Sequence, residues 1–312
     1  MSLEACLPDD LRGPATTITR VSAGLSGAGV YRVDAAGAAF VLKVSVDDPI
    51  EVWRGRAQIQ QLAASAGLAP RVVHVDEARR AVLSAFVVDR GFPALLFQPA
   101  TRDAAIAQLG RTLRRVHDLP VPGDADELRP LALLTRIWPG LDGQIALPGF
   151  VGDAVRRMLA EPIPPYAGAL VLGHNDVNPT NLIYDGEHLL LLDWDTAGPS
   201  EPYYDLAATA VFFRMDDPTC LRLIAAHDAD AVTELPARFV YDRRLVAVLC
   251  GTLFLHLAHH GGHAGASGDE TLDATPSLAD VYQRMRAGEL NPGTSAGQWA
   301  LGLALLKLGG SL

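Results

Sequence analysis

Cysteine is scarce in this sequence, and a basic leader, a membrane-length apolar run and internal repeats are missing; each absence closes off a class of protein. The three cysteines, Cys6, Cys220 and Cys250, are too few and too scattered for a disulfide framework or a zinc site, which predicts a reducing compartment, the cytoplasm by default. The opening MSLEACLPDD has no basic flank followed by an apolar core, so no secretory signal is expected. The longest apolar run, Leu245 to Leu255, is too short to cross a bilayer and reads as a buried helix. A formal net charge of −10 argues against a nucleic-acid partner, because neutralising phosphates takes a basic surface. That acidity fits either plain solubility or a cationic small substrate. No repeat or long low-complexity segment interrupts the chain; PVPGDADELRP and HGGHAGASGDE read as turn-rich loops.

What is present is enough apolar material, 49% of 312 residues, for one large domain or two lobes. Residues 17–46 alternate β-branched and aromatic residues between turn signals, which predicts hairpin strands TITRVSAG, GVYRVDAAG and AAFVLKVS. Helical spacing follows from Ile50 to Ala66, closed by Gly67 and Pro70. RVVHV and AVLSAFVV predict two more strands before Gly91 and Pro93 break the pattern. From Arg102 an amphipathic helix runs to Pro120, and after Gly149 most of the chain reads as helical. The expectation is α+β: an amino-terminal lobe over 1–88 and a mainly helical lobe over 89–312.

The informative stretch is residues 170–207, LVLGHNDVNPTNLIYDGEHLLLLDWDTAGPSEPYYDLA. It predicts a short apolar strand, a polar loop, the strand NLIYD, a turn at Gly186 and the strand LLLLD ending on a carboxylate. Phosphoryl transfer from ATP needs a group to orient the attacking hydroxyl and take its proton, and oxygen ligands for Mg²⁺. Asp176, Asn181 and Asp193 are those side chains in the kinase order. Taken singly, the Asp and the Asn flanking Pro179 are also ordinary turn formers. Asp193 directly follows four leucines, where a charge must be paired, solvated or metal-bound.

Upstream, the turn Gly24-Leu25-Ser26-Gly27-Ala28-Gly29 lies between two predicted strands, where glycine lets backbone close over phosphates. It is no Walker loop, since no Lys-Ser/Thr opens a helix after it; nor is GLSGAG a hydrolase elbow, since a strand follows it. Lys43, within the apolar strand FVLKVS, is either a phosphate-contacting lysine or a snorkelling edge residue.

These motifs, with the downstream DWD and YYDLA, resemble the aminoglycoside phosphotransferase and choline kinase group, small-molecule relatives of protein kinases. The resemblance implies a bilobal protein-kinase-like fold with a small antiparallel-sheet lobe. It further implies that Asp176 is the catalytic base, that Asn181 and Asp193 hold Mg²⁺, that His174 props the loop, and that Asp205 is a structural acid tying that loop down. Asp195 serves either the loop or the metal. ATP would be bound by Gly24, Ser26, Gly27 and Lys43, with Phe86 and Val88 in a hinge and Val41 and Leu192 flanking adenine. The family usually pairs the strand lysine with a helix glutamate near Gly55-Arg56; here either Glu51 reaches Lys43 or the pair is absent. The acceptor implied is a small-molecule hydroxyl, a choline- or ethanolamine-like amino alcohol on one branch and an aminoglycoside on the other. A catalytically silent nucleotide- or metabolite-binding relative is the remaining reading. Trp194, Tyr203 and Tyr204 are either core or a cation-binding wall, and His256, His259, His260 and His263 form a polar helix end.

Overall fold

The structure is a computed structural model that describes residues 2–21, 29–123, 127, 129–229 and 232–312. Gly24, Ser26 and Gly27 lie outside the described residues. The chain divides into two compact units, one of residues 1–127, 171–199 and 225–230, the other of 128–170, 200–224 and 231–312.

The first unit is built on five antiparallel strands, β1 (Thr17–Arg20), β2 (Gly29–Ala35), β3 (Ala38–Val44), β4 (Val72–Asp76) and β5 (Ala81–Ala85), in the order β1-β2-β3-β5-β4. β2 and β3 join through Ala36 and Gly37, whose φ values of 50° and 76° are those of the two-residue turn that matches strand twist. Strand alternation then sorts β3. Phe40, Leu42 and Val44 are buried against Cys6, Leu7 and Leu11, whereas Val41 and Lys43 belong to the opposite face. Lys43 sits opposite Val82 in register, and Val82 packs on Trp53 and Ala57 of helix α1 (Ile50–Ser65). One lysine is thus carried among apolar neighbours by the period of its strand. After α1, Gly67 takes a φ of 68° and Leu68 N–H donates to Ala63 O, the usual helix stop.

β5 ends at Ala85, three residues short of the expected AVLSAFVV. The chain leaves the sheet because the segment beyond binds elsewhere: Asp89 Oδ1 accepts from Tyr184 N–H, and Arg90 N–H donates to Tyr184 O at 2.7 Å. After helices α2 (Phe92–Phe97) and α3 (Arg102–His117), this unit is completed by β6 (Val171–Gly173) and by an antiparallel hairpin of β7 (Leu182–Tyr184) and β8 (Leu189–Leu191). Leu191 N–H donates to Leu68 O, tying β8 to the end of α1.

The second unit is helical: α4 (Pro130–Ile137), α5 (Gly149–Ala160), α6 (Pro202–Phe212), α8 (Ala237–His260), α9 (Leu278–Arg286) and α10 (Ser295–Ser311), with α7 (Asp217–Asp228) beginning in it. The predicted buried helix is α8, whose Leu245 and Leu255 lie in the core. α8 and α10 touch at backbone level, because a Cβ on Gly302 would stand 2.9 Å from Gly251 O. Among the described residues no helix is long and apolar enough to cross a membrane.

Candidate active site

The loop after β6 is shaped by Asn175, whose φ of 65° lies in the left-handed region that asparagine tolerates. Its side-chain amide donates to Thr196 O at 3.0 Å and Gly198 O at 3.3 Å, while Val177 is fully buried. Between these anchors stands Asp176, and both of its oxygens are held. Oδ2 accepts from Asn181 Nδ2 at 2.7 Å, and Oδ1 accepts from Asn178 Nδ2 at 3.0 Å. Asn178 also caps the 3-10 turn Pro179–Asn181 by accepting from Thr180 N–H at 2.9 Å, so turn formation and carboxylate placement are one device. Burial pushes the Asp176 carboxyl above the ordinary range, against the pull of the Asn178 hydrogen bond, His174 and Asn181; the Asp193 charge adds to the rise.

Asp193 is brought to the same loop through its neighbour. Leu192 N–H donates to Asn181 O at 2.8 Å, and Leu192 O accepts from His174 Nε2 at 2.9 Å. That bond identifies Nε2 as the protonated ring nitrogen, because a carbonyl only accepts. His174 is a fully buried strut that also packs edge-on against Trp194 with ring centroids 4.8 Å apart. Asp193 itself has a φ of 58°, an uncommon left-handed conformation for a non-glycine, and it opens the 3-10 turn Trp194–Thr196. Lys43 Nζ lies 2.7 Å from Asp193 Oδ1 and 2.7 Å from Asp195 Oδ2. Burial alone would push the ammonium down; the Asp195 and Asp193 carboxylates outweigh it, so Lys43 titrates above the usual lysine range. Asp176, Asn181, Asp193 and Lys43, together with His174, are therefore gathered in one unit.

Other expected participants are placed differently. Glu51 does not pair with Lys43: it is 77% exposed and bonds Arg54 at 2.7 Å, because its position in the first turn of α1 is off the face that carries Trp53 and Ala57. The surface of α1 beside Lys43 presents Trp53, Arg56, Ala57 and Gln60. Trp194 is core, 2% exposed, with its indole N–H donating to Leu191 O at 3.0 Å, so it forms no cation-binding wall. Phe86 carries the Arg32 guanidinium 4.7 Å above its ring, and its N–H donates to Ala39 O; Val88 is 68% exposed. Asp205 is fully buried in α6 of the second unit. The rings of His256 and His260 lie 4.2 Å apart at a 45° tilt, and His263 stacks on Trp299 at 4.3 Å.

The donor chemistry fits Mg²⁺ with bound phosphates. Among the described residues no group of three or more His, Cys, Asp or Glu is disposed to hold a metal alone. Mg²⁺ is commonly held through one or two carboxylates plus substrate phosphates. Asn181 turns its nitrogen to Asp176, which leaves the amide oxygen as the atom suited to a cation. Sequence reasoning missed Asn178 as a partner of Asp176 and Asp195 as a partner of Lys43. A signal for the lysine was present, since Lys43 and Lys307 are the two lysines among 26 basic residues.

The model of the APH phosphotransferase enzyme family matches residues 17–242, which include the whole constellation. The chain belongs to that family. This APH-family protein matches no curated protein sequence. Its fold is that of solved kinase-like structures. A choline/ethanolamine kinase family protein from Mesorhizobium loti superposes with a TM-score of 0.60 at 21% identity, covering 98% of this chain and 97% of that one. Choline kinase LicA from Streptococcus pneumoniae gives 0.58 at 13% identity over 88% and 92% of the two chains. The spectinomycin phosphotransferase APH(9)-Ia gives 0.57 at 13% identity over 92% and 93%. The α+β kinase-like fold expected from the motifs is the fold observed.

Proposed function

We propose that this family member transfers the γ-phosphoryl group of ATP, with Mg²⁺, to a hydroxyl of a small molecule. One observation carries the reading: Lys43 meets Asp193 beside an aspartate whose two oxygens are held by Asn178 and Asn181. Asp176 would orient the acceptor hydroxyl and take its proton, and the rise of its pKa with burial makes it a stronger base than an exposed aspartate. Lys43 would neutralise phosphate oxygens, with Gly24, Ser26 and Gly27 as further nucleotide-binding residues and the hinge at Phe86 and Val88 meeting adenine. Asp193 and Asn181 would hold Mg²⁺, which when bound neutralises charge on the phosphates. Residues 1–88 would then carry the nucleotide and 89–312 the catalytic loop and acceptor. The protein's contribution is alignment and charge stabilisation.

For the acceptor we favour a small amino alcohol of the choline or ethanolamine type, supported by Asn175 within the HND sequence and by the acidic net charge. The glycine-rich opening GLSGAGVYRV supports an aminoglycoside instead, and APH(9)-Ia was solved with ADP and spectinomycin. LicA, solved with AMP, supports an adenine nucleotide on either reading. ADP release from ATP and Mg²⁺ should be measured across choline, ethanolamine, other amino alcohols and aminoglycosides. Turnover with at least one hydroxyl compound is expected. ATP binding with no ADP release from any of them would replace the enzyme by a silent nucleotide-binding relative.

A further inference from the structure

We propose that Asp195 stands in for the missing helix carboxylate as the positioning residue of Lys43, so that the loop bearing Asp193, and not α1, sets where the phosphate-binding ammonium stands. The inference rests on the phosphotransferase reading above.

The acids of α1 and its approach are engaged elsewhere. Glu51, the one carboxylate within α1, bonds Arg54, and Asp48 just before the helix bonds Arg56 at 2.8 Å. Gln60, which lines the pocket with Lys43 and Asp195, is neutral and reaches Ser84 Oγ at 3.3 Å. Nothing on that helix face supplies a negative charge to a lysine that is only 19% exposed, and a buried ammonium needs a partner. Asp195 supplies it, and it is the more sheltered of the two carboxylates, 28% exposed against 36% for Asp193.

An ammonium has three donors. Two meet Asp193 and Asp195, which leaves the third for a phosphate oxygen. When Asp193 turns its oxygens to a cation, Asp195 is the carboxylate that remains on Lys43. Its two neighbours are pinned, as a positioning group requires. Trp194 donates its indole N–H to Leu191 O at 3.0 Å. Thr196 donates its hydroxyl to His174 O at 3.2 Å and accepts at its carbonyl from Asn175 at 3.0 Å. In a kinase whose lysine is held by a helix glutamate, moving the helix disables the lysine; here Glu51 is bonded to Arg54 and the lysine is bonded to the loop that carries Asp193 and Asp195.

The chain's two lysines make the test direct. In protein labelled with ¹³C at lysine Cε, two lysine side-chain signals are expected, and Lys307→Arg, remote from the site, identifies that of Lys43. Asp195→Asn should shift the Lys43 signal and lower kcat/KM for ATP, on the order of 10²-fold for a displaced phosphate-binding group. Adding Gln60→Glu to that variant should return the signal toward its original position and recover part of the rate, because it restores a carboxylate on the helix face beside Lys43. An unmoved Lys43 signal in Asp195→Asn overturns the proposal, including where the rate falls, since Asp195 then acts on something other than the lysine. A double variant no better than Asp195→Asn in either readout overturns the exchange of roles. Wild-type protein that turns over no acceptor defeats the phosphotransferase reading instead, and the Lys43 signal still decides the pairing.

Discussion

Asn181 and Asp176 share a 2.7 Å hydrogen bond across five residues of chain, and with Asn178 on the other oxygen it leaves the aspartate one orientation. A carboxylate held in this way is a poor thing to neutralise. Asp176→Asn keeps the shape and removes the proton acceptor. It should lower kcat by about 10²- to 10⁴-fold, the usual worth of a general base, while the ATP dissociation constant measured by calorimetry changes by less than about twofold. Undiminished turnover would remove Asp176 from the chemistry.

Chelation should stop the reaction and Mg²⁺ should restore it. The side chains available beside Lys43 are carboxylate and amide oxygens, the ligands a hard cation prefers. Adding excess EDTA to a running ADP-release assay, then Mg²⁺, reads this directly; turnover that persists in chelator contradicts the assignment of Asn181 and Asp193.

The stability contributed by Asp242 in α8 should fall as pH rises from about 4 to about 7. Burial pushes its carboxyl up to about 7, against the Arg238 guanidinium 3.2 Å away. An unfolded aspartate loses its proton near pH 3.9, whereas the folded one keeps it to about 7. The folded state therefore binds more protons in that window, and raising the pH withdraws the advantage. Asp242→Asn should flatten this part of the curve of unfolding midpoint against pH. A variant with an unchanged slope would place the titration elsewhere.

Gly302→Ala should destabilise the helical unit. The added Cβ would meet Leu255 Cδ2 at 2.8 Å and Gly251 O at 2.9 Å, and backbone cannot step aside cheaply. Overpacking of this kind costs about 1–3 kcal/mol, seen as a drop of several degrees in the unfolding midpoint. Gly310→Ala in the same helix meets nothing within 4 Å and should leave the midpoint unchanged or slightly raised.

Much of the fold was legible because its signals are local. Alternation in FVLKVS placed Lys43 in a strand, helical spacing from Ile50 to Ala66 and from Arg102 toward Pro120 matched α1 (Ile50–Ser65) and α3 (Arg102–His117) to within a few residues at their ends, and Asp176 with Asn181 was visible as a spacing. What could not be read depended on distant atoms. Glu51 looked available to Lys43, yet the phase of α1 turns it to Arg54. Trp194 looked like a possible ligand wall, yet its indole is bonded to Leu191 and packed on His174. The strand AVLSAFVV looked three residues longer because nothing local reveals that Asp89 and Arg90 bind Tyr184.

By itself the sequence determined which groups exist and how they are phased: a lysine in an apolar strand, an aspartate and an asparagine on one loop, an aspartate where four leucines leave the core. Periodicity and turn chemistry act over a few residues, and that is enough to specify them. Only the tertiary structure decided who pairs with whom, since Lys43 and Asp193 are 150 residues apart. Their meeting depends on how β8 docks beside α1 and on a left-handed turn at Asp193, and no short window of sequence contains either.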